Sequence, residues 1–158
     1  MTSPALTLRP VLAGDTAFLL VLYTSTREGE FPFLDAARRQ QLLELQFAAQ
    51  QAGYQMQFPG SEHRIIECGA ESAGRIWIAN TNDSIRIVDI SLLPRFRRQG
   101  IGTAVYRGVL ADAAARRMGV SASVLKANTA SLRFHEALGF TIAGESDVYY
   151  ALTLSSPW

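Results

Sequence analysis

The sequence predicts one mixed α/β domain: a central, mostly antiparallel sheet flanked by helices. Three observations carry this. Hydrophobic periodicity switches repeatedly between the helical and the strand period, in the order β-α-α-β-β-β-α-β-α-β-β. Gly, Pro, Asn and Asp clusters sit at the switches. The chain has 158 residues, 48% of them hydrophobic and 18% charged, which suits one domain with a real core and excludes a wholly disordered chain. The expected domain therefore runs over residues 1–158.

Each element has a local reason. Ala5 to Arg9 alternates as a strand and stops at Pro10. A helix is expected from Gly14-Asp15 to about Thr26, with Asp15 satisfying free amides at its start. Gly29 and Pro32 then mark a loop. A longer helix fits Asp35 to about Ala52, capped by Asp35, carrying Leu42, Leu45 and Ala49 at helical spacing and stopped by Gly53. Strands follow at Arg64–Cys68, Gly74–Ala79 and Ile85–Leu93, joined by short turns into an antiparallel meander. Next come a helix from about Gly100 to Arg117, a strand at Ser121–Leu125, a helix at Thr129–Leu138, and a last strand pair at Phe140–Ala143 and Val148–Leu154.

Charge and composition remove several functions. Fifteen basic residues face 14 acidic ones, a net charge of +1, so no global basic field exists to hold nucleic acid. The single cysteine, Cys68, excludes an internal disulfide framework and a Cys-rich zinc site; it reads as a small buried apolar residue. No His, Asp or Glu spacing suggests a metal, and His63, heading a strand, is expected to be exposed. The start MTSPALTLRP lacks a basic region followed by an apolar run, so no signal peptide is expected. No stretch approaches the ~20 apolar residues of a membrane helix, so no membrane partner is expected either. With its lone cysteine, the chain fits a reducing, cytoplasmic setting.

The most informative segment runs from Leu92 to Ala104, after a strand and into a helix. Gly100 and Gly102 let backbone amides approach a ligand without Cβ clash. The helix start supplies unpaired amides and a partial positive charge, and Arg95, Arg97 and Arg98 precede it. Together they read as a site for a phosphate or pyrophosphate. The P-loop pattern fails for want of a lysine, and the dinucleotide fingerprint fails because Val105 stands at its third glycine.

Arg97-x-x-Gly100-x-Gly102 after a strand, followed by Asn128-Thr-Ala-Ser131-Leu-Arg-Phe134-His135-Glu136-Ala-Leu-Gly139-Phe140, resembles the GNAT superfamily of acetyl-CoA-dependent N-acetyltransferases. The resemblance covers the strand at 84–93, the glycine turn, the next helix, the strand at 121–125 and the segment 128–140, and the element order agrees. It implies a GNAT-like fold with acetyl-CoA as cosubstrate and no metal. It places the pyrophosphate on the amides of Gln99, Gly100, Ile101, Gly102 and Thr103, flanked by Arg97 and Arg98. The pantetheine arm would pair with the backbone of Ile90 and Leu92, and the amide of Leu92 or its neighbour would polarise the thioester carbonyl. A β-bulge in this strand is a family feature that opens a slot for the arm. Asn128 is implied to bond the arm; it also reads as the cap of the helix at Thr129. Ser131 and Phe134, on that helix, complete the cofactor-facing candidates.

The implied reaction is amine attack on a thioester. An alkyl ammonium has no lone pair and must lose a proton, so a base is needed, and the oxyanion needs a donor. Asp89, on an otherwise apolar strand face, is the first candidate base; the competing reading is a hydrogen-bonded structural aspartate. Glu28 and Glu30 are second candidates, as bases or as contacts for a cationic acceptor, and Phe31 and Phe33 either line that pocket or anchor the loop. His135 stands where the family commonly has a tyrosine that protonates the leaving thiolate. It can donate a proton, but with Ser131, Phe134 and Leu138 at i, i+3, i+4 and i+7 it also borders a buried stripe. Tyr149 and Tyr150 are alternative hydroxyl sources.

The expected activity is transfer of an acetyl group from acetyl-CoA to a primary amine of a small molecule, amino acid or peptide, directly in a ternary complex. Alternatives are a larger acyl group, a protein lysine or N-terminus as acceptor, and a CoA-binding sensor without turnover. A homodimer is a further expectation, with Trp158 as an aromatic that can pack on a partner.

Overall fold

The computed structural model describes residues 4–155; Trp158 lies outside the described residues. Strands are β1 (Leu6–Pro10), β2 (Glu62–Cys68), β3 (Glu71–Asn80), β4 (Ser84–Leu92), β5 (Gly119–Leu125), β6 (Thr141–Glu145) and β7 (Tyr149–Leu154). Helices are α1 (Thr16–Ser25), α2 (Ala36–Gln57), α3 (Ile101–Ala115) and α4 (Thr129–Ala137). The seven strands form one sheet in the order β1-β2-β3-β4-β5-β7-β6. The β4–β5 pair is parallel; β1–β2, β5–β7 and β6–β7 are antiparallel. The predicted α/β class and element order are the ones observed.

The chain forms two compact units. The first takes the residues up to Trp77 together with Asp89–Gly102. Its core packs Leu19 and Tyr23 of α1 on Leu43 and Phe47 of α2 and Ile65 of β2. The buried stripe of α2 is therefore Leu43 and Phe47, not Leu42, Leu45 and Ala49: Leu45 is 69% exposed. Asp35 caps α2 as expected, accepting from the Arg38 amide at 2.8 Å. The helix does not stop at Gly53 but runs on to Gln57. A lone glycine costs a helix only about 1 kcal/mol, less than the flanking turns supply. Asp15 makes no cap bond to α1; its carboxylate takes the Leu12 amide at 2.7 Å and both Arg9 terminal nitrogens at 2.8 Å. That pairing holds its pKa down at about 2.

His63 is half-buried, not exposed. Its ring stacks on Trp77 with centroids 4.1 Å apart and planes 17° apart. Burial, then the Arg75 charge, push its pKa down to about 4. The unfolded chain therefore binds a proton near pH 6.5 that the folded chain refuses until about 4. Stability from this group is full above pH 6.5 and is lost as pH falls towards 4. Thermal melts should show the midpoint dropping over that window. A single half-buried histidine contributes less than about 1.4 kcal/mol per pH unit. His63→Gln should flatten the profile; an unchanged slope would remove His63 as its source.

The second unit takes Ile78–Val88 and the residues from Thr103 onward. Val120, Ala122 and Val124 of β5 are buried, and β7 lies beside them in register from Val120↔Leu154 to Leu125↔Tyr149. Its aromatic centre is Tyr106 of α3, which meets Phe134, His135 and Phe140 edge-on at 5.2, 5.1 and 6.0 Å.

Within the first unit, β3 and β4 approach so closely at Gly74 that a side chain has no room. A Cβ there would collide with the Ser91 carbonyl oxygen and come within 2.8 Å of Leu92 Cδ2. Gly74→Ala should cost at least the roughly 1–3 kcal/mol of an overpacked core, because the obstacle is backbone. Chemical denaturation measures this, and an unchanged midpoint would mean that β4 yields freely.

Candidate active site

The two halves of β4 behave differently. Ile85 and Ile87 are buried in strict alternation, but every residue from Val88 to Leu92 is half-buried. The parallel ladder to β5 ends at Ile87↔Ala122. Beyond it, Leu93 donates its amide to the Ala73 carbonyl at 2.8 Å, and the Ser91 carbonyl lies against Gly74. These contacts turn the Leu93 amide and the Ser91 carbonyl towards β3. The alternation of burial is thus lost over this half of the strand.

Asp89 resolves the awkward carboxylate. Arg75 of β3 is 3% exposed, and its Nε and Nη2 donate to Asp89 Oδ2 at 3.1 and 2.6 Å. Nη1 and Nη2 also donate to Gln51 and Gln50 of α2 at 2.9 and 2.6 Å. One buried cation therefore ties β3, β4 and α2 together. Sequence reasoning missed Arg75. The available signal was a charged residue in an apolar strand, one strand away from a carboxylate equally out of place. Asp89→Ala leaves the guanidinium with amide oxygens alone. The expected loss is about 3 kcal/mol, the low end for breaking a buried pair, since Asp89 keeps some solvent. Urea denaturation checks it; a wild-type midpoint would show that the pair holds nothing.

After β4, a 3₁₀ turn at Pro94–Phe96 leads into the glycine turn and α3. Arg98 and Gly100 both lie at positive φ, 60° and 80°. A Cβ at Gly100 would meet nothing within 4 Å, so the space above its backbone is open. Gln99, Gly100 and Arg98 are exposed, Thr103 is half-buried, and Ile101 is buried. Arg97 serves the strand end: its Nε donates to the Leu92 carbonyl at 2.8 Å, and its Nη2 reaches Ser25 Oγ of α1 at 3.5 Å. Arg95 pairs with Glu71 at 2.5 Å, and Gln99 folds back on the Arg95 carbonyl at 2.7 Å.

The α1–α2 loop is pinned by Arg39, which donates to the Phe31 and Leu34 carbonyls at 3.3 and 2.8 Å. Phe31 packs on the core, whereas Phe33 is 81% exposed. Glu28 is exposed, and Glu30 faces Arg27 at 3.7 Å.

In the second unit, Asn128 caps α4 by accepting from the Ser131 amide at 3.1 Å. His135 is buried and holds both ring nitrogens in bonds. Nδ1 lies 2.7 Å from the Ser131 carbonyl, which can only accept, so Nδ1 carries the proton. Nε2 then accepts from the Tyr106 hydroxyl at 2.6 Å. Burial lowers the histidine pKa, which favours this neutral form. Phe134 and Ser131 are half-buried on the same helix. Tyr149 is exposed, and Tyr150 has the Lys126 ammonium 5.2 Å from its ring centre. Cys68 is half-buried on β2.

Comparison with known proteins gives the family and the fold. The sequence profile of the Acetyltransferase (GNAT) family matches residues 26–140, and the chain belongs to that family. No curated protein matches the sequence. Among solved structures, the chain is similar to PaiA N-acetyltransferase from Thermoplasma acidophilum in complex with coenzyme A. Identity is 9%, the match covers 96% of this chain and 99% of that one, and the TM-score is 0.74. An acetyltransferase from Thermus thermophilus matches at 18% identity over 98% and 99%, with a TM-score of 0.68. A GNAT family acetyltransferase from Elizabethkingia anophelis with acetyl-CoA bound matches at 17% over 96% and 98%, with a TM-score of 0.62. At these identities the likeness is one of fold. No helix among the described residues is long and apolar enough to cross a membrane.

Proposed function

We propose that the chain is an N-acetyltransferase that moves the acetyl group of acetyl-CoA to a primary amine by direct transfer. The observation that carries this is the second half of β4. Its ladder to β5 ends at Ile87, and after the 3₁₀ turn the chain enters a glycine turn with open space above Gly100. The pantetheine amides pair with Ile90 and Leu92 as an added strand would. The pyrophosphate rests on the amides from Gln99 to Thr103 at the start of α3, with Arg98 beside it. Arg97 has a different task, holding the Leu92 carbonyl.

The amine nitrogen attacks the thioester carbon, and the carbonyl oxygen gains the negative charge. The Leu92 amide donates to that oxyanion; the Leu93 amide is already spent on the Ala73 carbonyl. Before the attack Asp89, held in place by Arg75, takes one proton from the acceptor ammonium through water and frees the lone pair. The intermediate then collapses: the nitrogen gives its second surplus proton to solvent, the C–S bond breaks, and CoA departs as a thiolate that solvent protonates. His135 is a positioning residue: its proton sits on Nδ1 and points at the Ser131 carbonyl, so it braces α4 against Tyr106.

The test is calorimetric titration with acetyl-CoA, followed by an assay of CoA release over a panel of amines. Wild type should bind in the micromolar range and turn over at least one amine. Gly100→Val puts a branched side chain at positive φ beside the phosphate amides and should weaken binding at least about tenfold in a folded protein. Unchanged affinity in that variant would move the pyrophosphate elsewhere.

A further inference from the structure

The last turn of α1 ends in two polar atoms that the fold leaves without partners. Thr24 and Arg27 stand three residues apart, with the Arg27 amide bonded to the Thr24 carbonyl at 3.0 Å. Thr24 Oγ1 and Arg27 Nε are both shut off from solvent, and neither meets a hydrogen-bond partner. Buried polar atoms are nearly always satisfied, so two orphans on one turn ask for an external partner.

The surroundings say what that partner is. The Arg27 guanidinium lies 5.0 Å from the centre of the Tyr23 ring, and its ion pair with Glu30 at 3.7 Å is too long for a hydrogen bond. The Tyr23 hydroxyl engages the guanidinium, and the charges of Glu30 and Asp89 both act on it, yet Nε stays unmet. The neighbouring residue Ser25 touches Arg97, and Arg97 holds the Leu92 carbonyl, so this turn borders the strand end where the thioester is proposed to lie. Arg75 pairs with Asp89, Arg27 lies 3.7 Å from Glu30, and Arg97 donates to the Leu92 carbonyl and Ser25, so three arginines face two carboxylates and the neighbourhood keeps one excess positive charge. A guanidinium edge and a hydroxyl suit a carboxylate, whose two oxygens can accept from both.

We propose that Thr24 and Arg27 form a carboxylate subsite, so that the acceptor is a free amino acid: its ammonium group is taken by Asp89 and its carboxylate by Arg27 Nε and the Thr24 hydroxyl. This rests on the reading of the chain as an N-acetyltransferase. Glu30 is then the ion partner that the substrate carboxylate displaces, not a contact for a cationic acceptor.

The test measures kcat/KM for free amino acids, their carboxamides and alkyl polyamines, in wild type, Arg27→Met and Arg27→Lys. Acetyl-CoA affinity is measured alongside. Wild type should favour amino acids over the matching carboxamides by at least about tenfold, the usual range for a charged hydrogen bond. Arg27→Met should erase that preference by lowering kcat/KM for amino acids at least about tenfold, with acetyl-CoA affinity showing that the fold is intact; Arg27→Lys, which keeps the charge without the fork, should retain part of it. Carboxamides or polyamines turned over as well as amino acids would overturn the subsite and leave the N-acetyltransferase standing. So would a preference that survives Arg27→Met. Acetyl-CoA binding with no turnover of any amine, or no binding, would overturn both.

Discussion

The buried guanidinium of Arg75 sets the conditions for the rest of the first unit. A charge at 3% exposure has to be neutralised and its donors satisfied, and three elements are recruited to do so. Asp89 brings the charge from β4, and Gln50 and Gln51 bring acceptors from α2. The same constraint explains why Asp89 stands on an apolar strand face. It also fixes the height of β4 at the point where the strand stops behaving as sheet interior. Gly74, the residue before Arg75, removes the side chain that would hold β3 and β4 apart there.

Chemistry follows from that change of character. The first half of β4 is ordinary sheet, buried on one face and paired with β5. The second half is braced by Arg75, Ala73 and Arg97, beyond the end of the ladder to β5. Arg97 shows how closely the parts are shared: the sequence makes it look like a phosphate ligand, and the fold uses it to tie the glycine turn back to the strand end and to α1.

Much of this was legible in residue order. The switch of periodicity marked nearly every element to within a few residues, because burial on one face imposes a period that the chain cannot hide. Asp35 and Asn128 announced their caps, since a side-chain acceptor before an apolar run has few other uses. The glycine turn and the Asn128–Phe140 segment carried the family. Errors came where a local rule met a tertiary one. Gly53 did not end α2, because packing outweighed propensity. Leu45 shared the helical spacing but not the buried face. His63 looked like an exposed strand end until Trp77 lay against it.

The sequence by itself determined the element order, the family and the glycine turn that opens α3, because each depends on residues close together in the chain. Only the tertiary structure decided what the isolated polar residues do. Asp89 stood on an apolar strand face with no visible reason until Arg75, fourteen positions away, was seen to hold it. His135 could be read as an acid until Ser131 and Tyr106 occupied its two nitrogens. Arg27 and Thr24 drew no notice at all, since an unpartnered atom is defined by what surrounds it. Charge, proton position and hydrogen-bond satisfaction are properties of a neighbourhood in space, and one-dimensional spacing does not carry them.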